Sequence, residues 1–447
     1  MIEYFRLKNF MSYRDETELS FVASNKNGGK EDLPISWYKQ IDGKRILKLL
    51  LGIGLNGSGK SKMISGLTYL RRMVTIKPNK PTDRPDYRPF LLDDFSASKP
   101  TEMWMSYYID EENYIYYIKV SRDRIEEEEL RLQNSSRGTR VYRRVYDPET
   151  DTTEISFGLA SDLNKNDQRD LEVNTVNNAS VMSQFGSMNL ESRILRMNFD
   201  YFVNRISKVH QAENTLAEKL STGDNEHDKC MKQLLLKLLS NIGSNIVDYH
   251  VDVSAVTIDE IINKGDTPSF IADALRSQYP DGIIKNKSLR FEHSTSNSRK
   301  SLNSSFESLG TINIIRLMIV LYDVVLGKKC TCIDELGIGI HNIALEFILK
   351  VYLGMSDESQ VLVASHDLAL LSPRYLQLRR DAVRKFTKDE DGVTHVVRPD
   401  YLHKTLNMYK KYMEELEGDL NDILHDDDIL YEYKNIVNNK DTKVDFN

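Results

Sequence analysis

The sequence predicts an α/β fold made of two halves around an insertion, with an N-terminal antiparallel β subdomain and an inserted helical lobe. Three observations predict it. An apolar run at 46–53 passes into the glycine-rich octet GLNGSGKS at 54–61 and then into a helical stretch. A second short apolar run, from Cys330, ends in the paired acids Asp334 and Glu335. Between the two, strand-like alternation gives way to helix-like spacing, which separates the halves of one fold.

At 447 residues the chain is too long for one simple core and suits one large α/β domain with an insertion, or two domains. A hydrophobic share of 40% beside 28% charged residues is that of a soluble globular protein. No run of about 18 uninterrupted apolar residues occurs, which argues against a membrane span. The opening MIEYFRLKNF alternates apolar and polar residues, unlike a secretory signal, so a cytoplasmic location is expected. Cys230, Cys330 and Cys332 are too few for a disulfide framework, lack partners at zinc-site spacing, and read as core residues. A net charge of −7 shows no basic surplus of the kind that advertises nucleic-acid binding, although a local basic patch stays open.

Taken in order, residues 2–7 and 16–21 read as short strands joined by a turn, 46–53 as a buried third strand, and 62–73 as a helix ending before the proline-rich 78–89. Residues 101–109 and 113–120 alternate on either side of Asp110-Glu111-Glu112, a hairpin signature. The charged, poorly periodic 121–172 reads as a further hairpin with loops. From about 190 to 246 the spacing is helical, through Ile194, Leu195, Phe199, Phe202, Val203 and Ile206 and then 234–242. The Ser/Asn-rich 294–305 reads as a flexible loop. The α/β pattern returns with helix 310–326, strand 330–333, helix 341–353, strand 360–364 and helix 367–371. The acidic 414–428 puts Leu416, Leu420, Ile423 and Leu424 on one possible helix face, either a docking segment or a solvated terminal helix. The expected organisation is 1–185 for the first half of the head with its β subdomain, 186–300 for the lobe, 301–400 for the second half and 401–447 for a helical acidic tail.

The octet carries the first chemistry. Gly54, Gly57 and Gly59 let the backbone turn so that the N–H groups from Asn56 through Ser58 to Ser61 face phosphate oxygens, and the following helix adds its positive end. Lys60 is expected against the β- and γ-phosphates of ATP, and the Ser61 hydroxyl on Mg²⁺. A purely structural glycine loop is the bland alternative, disfavoured by the strand before it and the helix after it. Asp334 and Glu335 would otherwise be a solvated turn. Downstream of this octet they read as a Walker B strand end, with Asp334 in the Mg²⁺ shell and Glu335 free to orient and deprotonate the attacking water.

Two flanking motifs fix the class. Glu307-Ser308-Leu309-Gly310-Thr311 ends 23 residues before Asp334, where ABC-type ATPases place their signature. Its Ser308 hydroxyl and Gly310 amide form an anion site that a second subunit's P-loop would complete, although a simple helix cap gives the same letters. Val361 to Asp367 is a strand ending in His366, the position of a switch histidine that senses the γ-phosphate. The stretch 178–186 reads as a strand leading into a Q-loop, with Gln184 bridging Mg²⁺ and the lobe. An ABC-type P-loop ATPase head is therefore expected, working as a homodimer or larger homo-oligomer.

Together these residues resemble a known family. Asn9-Phe10-Met11-Ser12-Tyr13-Arg14-Asp15, the P-loop, Pro89-Phe90, Lys99-Pro100-Thr101-Glu102, Phe291-Glu292-His293, ESLGT, IDELGIGIH, ASHD and Leu378-Arg379-Arg380-Asp381 run in the order of the RloA-type ATP-binding proteins, from about residue 2 to about 400. These are ABC-type ATPases related to the heads of SMC, RecF and OLD proteins, many encoded in restriction and anti-phage loci. The resemblance implies an ATP-dependent dimer with two composite sites and a separately encoded effector nuclease or toxin, as in RloA with RloB or PtuA with PtuB. Gly337 and Asn342 stand where the family usually has an acid and a proline, and no family match extends beyond about Asn407.

Other classes fit less well. Ser61 and Ser308 are 247 positions apart, more than a compact transporter ATPase needs, and a small-molecule kinase would need neither ESLGT nor a switch histidine. About 75 residues follow Ser372, too few for the Toprim domain of an OLD-type nuclease. Two functions are weighed. One is an ATPase sensor or scaffold that controls an anti-phage effector, with DNA or a phage protein as trigger and no membrane partner. The other is a RecF-like DNA-binding ATPase of repair.

Overall fold

The computed structural model describes residues 1–24, 37–134, 138–208, 216–220, 226–263, 268–371, 379–399 and 410. The expected amphipathic tail helix at 414–428 lies outside the described residues. Among the described residues the strands form four sheets.

The core sheet is parallel through Ile206–Lys208, Cys330–Asp334, Gln360–Ser365, Leu49–Ile53 and Val383–Lys388, with Thr394–Val397 added antiparallel at one edge. Every residue of Leu49–Ile53 and Gln360–Ser365 is buried, as strands covered on both faces must be. Helix Lys60–Thr75 follows the first of these strands. Helix Leu309–Leu326 is, among the described residues, the one long and apolar enough to cross a membrane. It is a core helix instead, with Ile315, Leu317, Met318 and Leu321 buried, and it packs against Asn342–Met355.

The predicted strand at 46–53 proves to be two. Lys44–Leu47 pairs with Tyr38–Ile41, and Leu49–Ile53 joins the core. The break falls at buried Lys48, whose Nζ donates to Ser356 O at 2.6 Å. A buried ammonium needs an acceptor, and the carboxyl end of helix Asn342–Met355 supplies it.

The outer sheet is antiparallel, in the order Thr152–Phe157, Thr139–Asp147, Ile125–Leu132, Glu112–Val120, Thr101–Ile109, Ile2–Lys8 and Thr17–Ser20. The hairpin expected at 101–120 is present, with Asp110 and Glu111 both left-handed (φ +47° and +70°), as a two-residue turn of this twist requires. The charged stretch after it is not a loop-rich hairpin but three sheet strands followed by helix Lys165–Asn174. Charges conceal its alternation. Glu127 meets Arg143 at 2.7 Å and Glu129 meets Arg140 at 3.0 Å on the outer face, while Glu128 and Arg144, directly opposite each other, are both buried.

The inserted lobe holds helices Leu216–Leu220, Glu226–Asn241, Ile258–Asn263 and Ser269–Gln278, and also a β ribbon that the spacing did not indicate. Ile246–Thr257 pairs with Ile283–Ser294, and Arg299–Asn303 adds a third strand. The Ser/Asn-rich 294–305 is thus largely the return of a hairpin rather than a loop. Ile206, expected in a helix, begins the strand that pairs with Cys330–Asp334.

Candidate functional site

Three neighbouring core strands end in one row. Asp334 lies opposite Ala364, Ala364 opposite Gly52, and Ser365 opposite Ile53. The P-loop, the Asp334-Glu335 pair and His366 therefore leave the sheet side by side at its carboxyl edge, where open α/β folds take their ligands.

Within the P-loop, Gly57 and Gly59 have φ of +84° and +103°. Gly59 is needed twice over, because a Cβ there would fall 2.3 Å from Thr394 Oγ1. Helix Lys60–Thr75 has no acid in its first turn and no side-chain cap, so its N-terminal amides remain available to an anion. Lys60 Nζ donates to Gly54 O at 2.7 Å and Leu55 O at 2.9 Å. Burial lowers its pKa, and the charges of Asp334 and Glu335 pull the other way. Asn56, Gly57 and Ser61 are exposed, and the buried Ser58 Oγ has no partner among the described residues. A cradle that excludes side chains, an orphaned hydroxyl, a lysine, a serine hydroxyl and a carboxylate together suit a magnesium nucleotide. No group of three or more His, Cys, Asp or Glu able to hold a metal occurs among the described residues.

Beneath the P-loop, Tyr13 donates its hydroxyl to Gly59 O at 2.9 Å, and Ser12 Oγ lies 2.7 Å from Thr394 Oγ1. Asn9 is left-handed (φ +52°). Its Nδ2 donates to Ser96 O at 2.8 Å and Lys99 O at 2.6 Å, and its Oδ1 accepts from Phe90 N at 3.0 Å. One amide thus ties together three of the family-like motifs. The Arg379-Arg380-Asp381 motif is likewise structural: buried Asp381 accepts from Ser24 N at 2.6 Å and from Arg379 at 3.1 Å. Leu378 lies outside the described residues.

Past the strand, Asp334 is half-buried and Glu335 exposed at φ +55°, its N–H donating to Ala364 O at 2.8 Å. His366 is exposed beside it. Ser308 caps helix Leu309–Leu326, its Oγ accepting from Thr311 N at 3.0 Å. The helix start packs on the loop behind Glu335, since a Cβ on Gly310 would lie 2.8 Å from Gly339 O and Asn313 Nδ2 donates to Ile338 O at 2.9 Å. No hydrogen bond among the described residues joins Ser308 or Gly310 to the P-loop. Phe306 and Leu309 on either side are 76% and 65% exposed.

Gln184 is not in a loop after a strand. It sits in the short helix Val181–Gly186, 3% exposed, with its Oε1 unpartnered. Ser180 caps that helix and also donates to Met73 O at 2.7 Å, fixing it against the P-loop helix. Buried Glu128 holds the same helix start: it accepts from Val181 N at 2.7 Å, Tyr142 OH at 2.6 Å and Tyr116 OH at 2.9 Å. Arg144 donates to Asn177 O at 3.0 Å and to Ala179 O. Burial raises the Glu128 pKa and lowers that of Arg144. Of the supports Tyr13, Thr394, Glu128 and Arg144, only Tyr13 belongs to a motif legible in the sequence, NFMSYRD.

Fold and site together define a P-loop ATPase head of mixed α/β class. The chain belongs to the family described as "AAA domain, putative AbiEii toxin, Type IV TA system", whose model matches residues 53–372. No curated protein matches the chain. Among solved structures it is similar to the SMC head domain from Thermotoga maritima, at 10% identity over 89% of this chain and 99% of that one, with a TM-score of 0.43. It is also similar to an Smc head bound to the C-winged helix domain of ScpA, at 11% identity over 92% and 99%, with a TM-score of 0.43. A third is an Smc head with an extended coiled coil, bound to the C-terminal domain of ScpA from Pyrococcus furiosus, at 12% identity over 93% and 98%, with a TM-score of 0.37.

Proposed function

We propose that the chain is an ABC-type ATPase that binds and hydrolyses ATP with Mg²⁺ at composite sites, each made from the P-loop of one copy and the signature of another. One observation carries this reading: the capped helix start at Ser308 lies exposed, beside exposed Phe306 and Leu309, and is not bonded to its own P-loop. A second copy would cover it.

In this reading the amides from Asn56 through Gly57, Ser58 and Gly59 cradle the phosphates, and Lys60 leaves its two carbonyls for the β- and γ-oxygens. Ser61 and Asp334 would hold Mg²⁺, which would supply neutralisation of charge on the phosphate oxygens. Glu335 takes the proton of the attacking water, and His366 contacts the γ-phosphate. Across the interface Ser308 and the Gly310 amide face that same phosphate. Gln184, buried in helix Val181–Gly186 with its Oε1 unpartnered, would help to hold the metal only if its side chain became accessible.

At the level of the cell, the protein is proposed as a cytoplasmic sensor or scaffold whose ATP-driven closure controls a separately encoded effector nuclease or toxin, as RloA-type proteins do. The description of its family, which names a type IV toxin–antitoxin system, fits such a setting. Purification from the native operon followed by mass spectrometry tests this: a stoichiometric nuclease or toxin is expected, and a chain that purifies alone with its operon intact contradicts it.

A further inference from the structure

The ribbon of the inserted lobe is long, and one residue at its root touches the residue before Ser308. Ile246–Thr257 and Ile283–Ser294 pair from His293 opposite Ile246 out to Ile283 opposite Thr257. At about 3.4 Å per residue that spans roughly 40 Å. The root is buried through Ile246, Leu289 and Phe291, whereas Val253, Ser254 and Ala255 farther out are exposed. At the root, His293 Nδ1 lies 2.8 Å from Asn245 Oδ1. His293 Nε2 lies 2.8 Å from Glu307 Oε1, off the hydrogen-bond axis, with the two side chains only 12% and 10% exposed.

Glu307 is the residue before Ser308. Its backbone is fixed by the donation of Glu307 N to Ser304 O at 3.1 Å, and its carboxylate is fixed by His293. The helix start is thus held from two sides, by the lobe through Glu307 and by the loop behind Glu335 through Gly310 and Asn313. Phe291-Glu292-His293 and ESLGT, two separate motifs of the sequence, meet in this one contact.

We propose that His293 is a positioning residue for the signature: through Glu307 it sets Ser308, so that the lobe governs closure of the composite site. The inference rests on the proposed role of Ser308. A close contact this far removed from water holds its partners more firmly than one at the surface, and removing the imidazole leaves the nearly buried Glu307 carboxylate without that neighbour beside Ser308.

The test compares full-length His293→Ala, His293→Gln and Ser308→Arg by steady-state ATP turnover, ATP-dependent light scattering and nucleotide affinity at low protein concentration. His293→Ala is expected to lower kcat at least about tenfold and to weaken the ATP-stabilised dimer, with Kd for ATP within about twofold of the parent. Gln keeps a donor where Nε2 stands and is expected to restore most of kcat. Should His293→Ala turn over normally while Ser308→Arg abolishes the dimer, this inference fails and the composite site stands; if Ser308→Arg has no effect either, both fail. If His293→Ala does not fold, Glu307→Gln carries the same comparison, and parental turnover in that variant overturns the proposal.

Discussion

Glu335 stands one residue past its strand, left-handed and exposed, with its backbone N–H held by Ala364 O. That posture frees the carboxylate for a water rather than for packing. Glu335→Gln is expected to keep ATP affinity while lowering phosphate release by about 10²–10⁴-fold, the range of general-base catalysis; unchanged turnover would remove Glu335 from the mechanism. Gly59→Ala meets both a φ of +103° and the Thr394 side chain, so loss of nucleotide binding in a fluorescent-ATP titration is expected. The octet and the paired acids were legible because each is a contiguous string whose chemistry is local. Tyr13 could be read only as a letter of NFMSYRD, because its bond to Gly59 O spans 46 positions, and Thr394, which packs against Gly59 and bonds Ser12 from the second half of the chain, leaves no spacing to read.

Elements follow the same division. The 101–120 hairpin was visible as alternation around a polar turn, and its two non-glycine left-handed residues make a prediction. Glu111→Gly should raise stability by about 1 kcal/mol, seen as a higher denaturation midpoint with an unchanged slope. A lower midpoint would mean that the Glu111 side chain does more than occupy the turn. The strands after it were hidden because the acidic run of Ile125–Leu132 alternates between paired outer charges and the buried Glu128, so polarity and burial part company. Glu128→Ala leaves two tyrosine hydroxyls and the Val181 N–H without their acceptor and removes the carboxylate that faces the buried Arg144 guanidinium, and about 3–5 kcal/mol of destabilisation is expected in urea titration. Less than 1 kcal/mol would show that the helix carrying Gln184 does not depend on it. In the lobe, spacing identified helices but missed the ribbon, whose outer strand residues are exposed on both faces and leave no apolar alternation to find.

At the scale of the molecule, the parallel core is assembled from strands on both sides of the lobe, with Leu49–Ile53 from the first half beside Gln360–Ser365 and Val383–Lys388 from the second. The lobe is therefore inserted between the two halves of one sheet rather than appended to it. The central claim is that each site is shared between two copies. A C2 dimer makes that claim testable by mixing two inactive chains, Lys60→Ala and Ser308→Arg. One site of each mixed dimer would carry both substitutions and the other neither, so the mixture is expected to recover about a quarter of parental ATP turnover. A mixture as inactive as either variant alone would contradict the shared site.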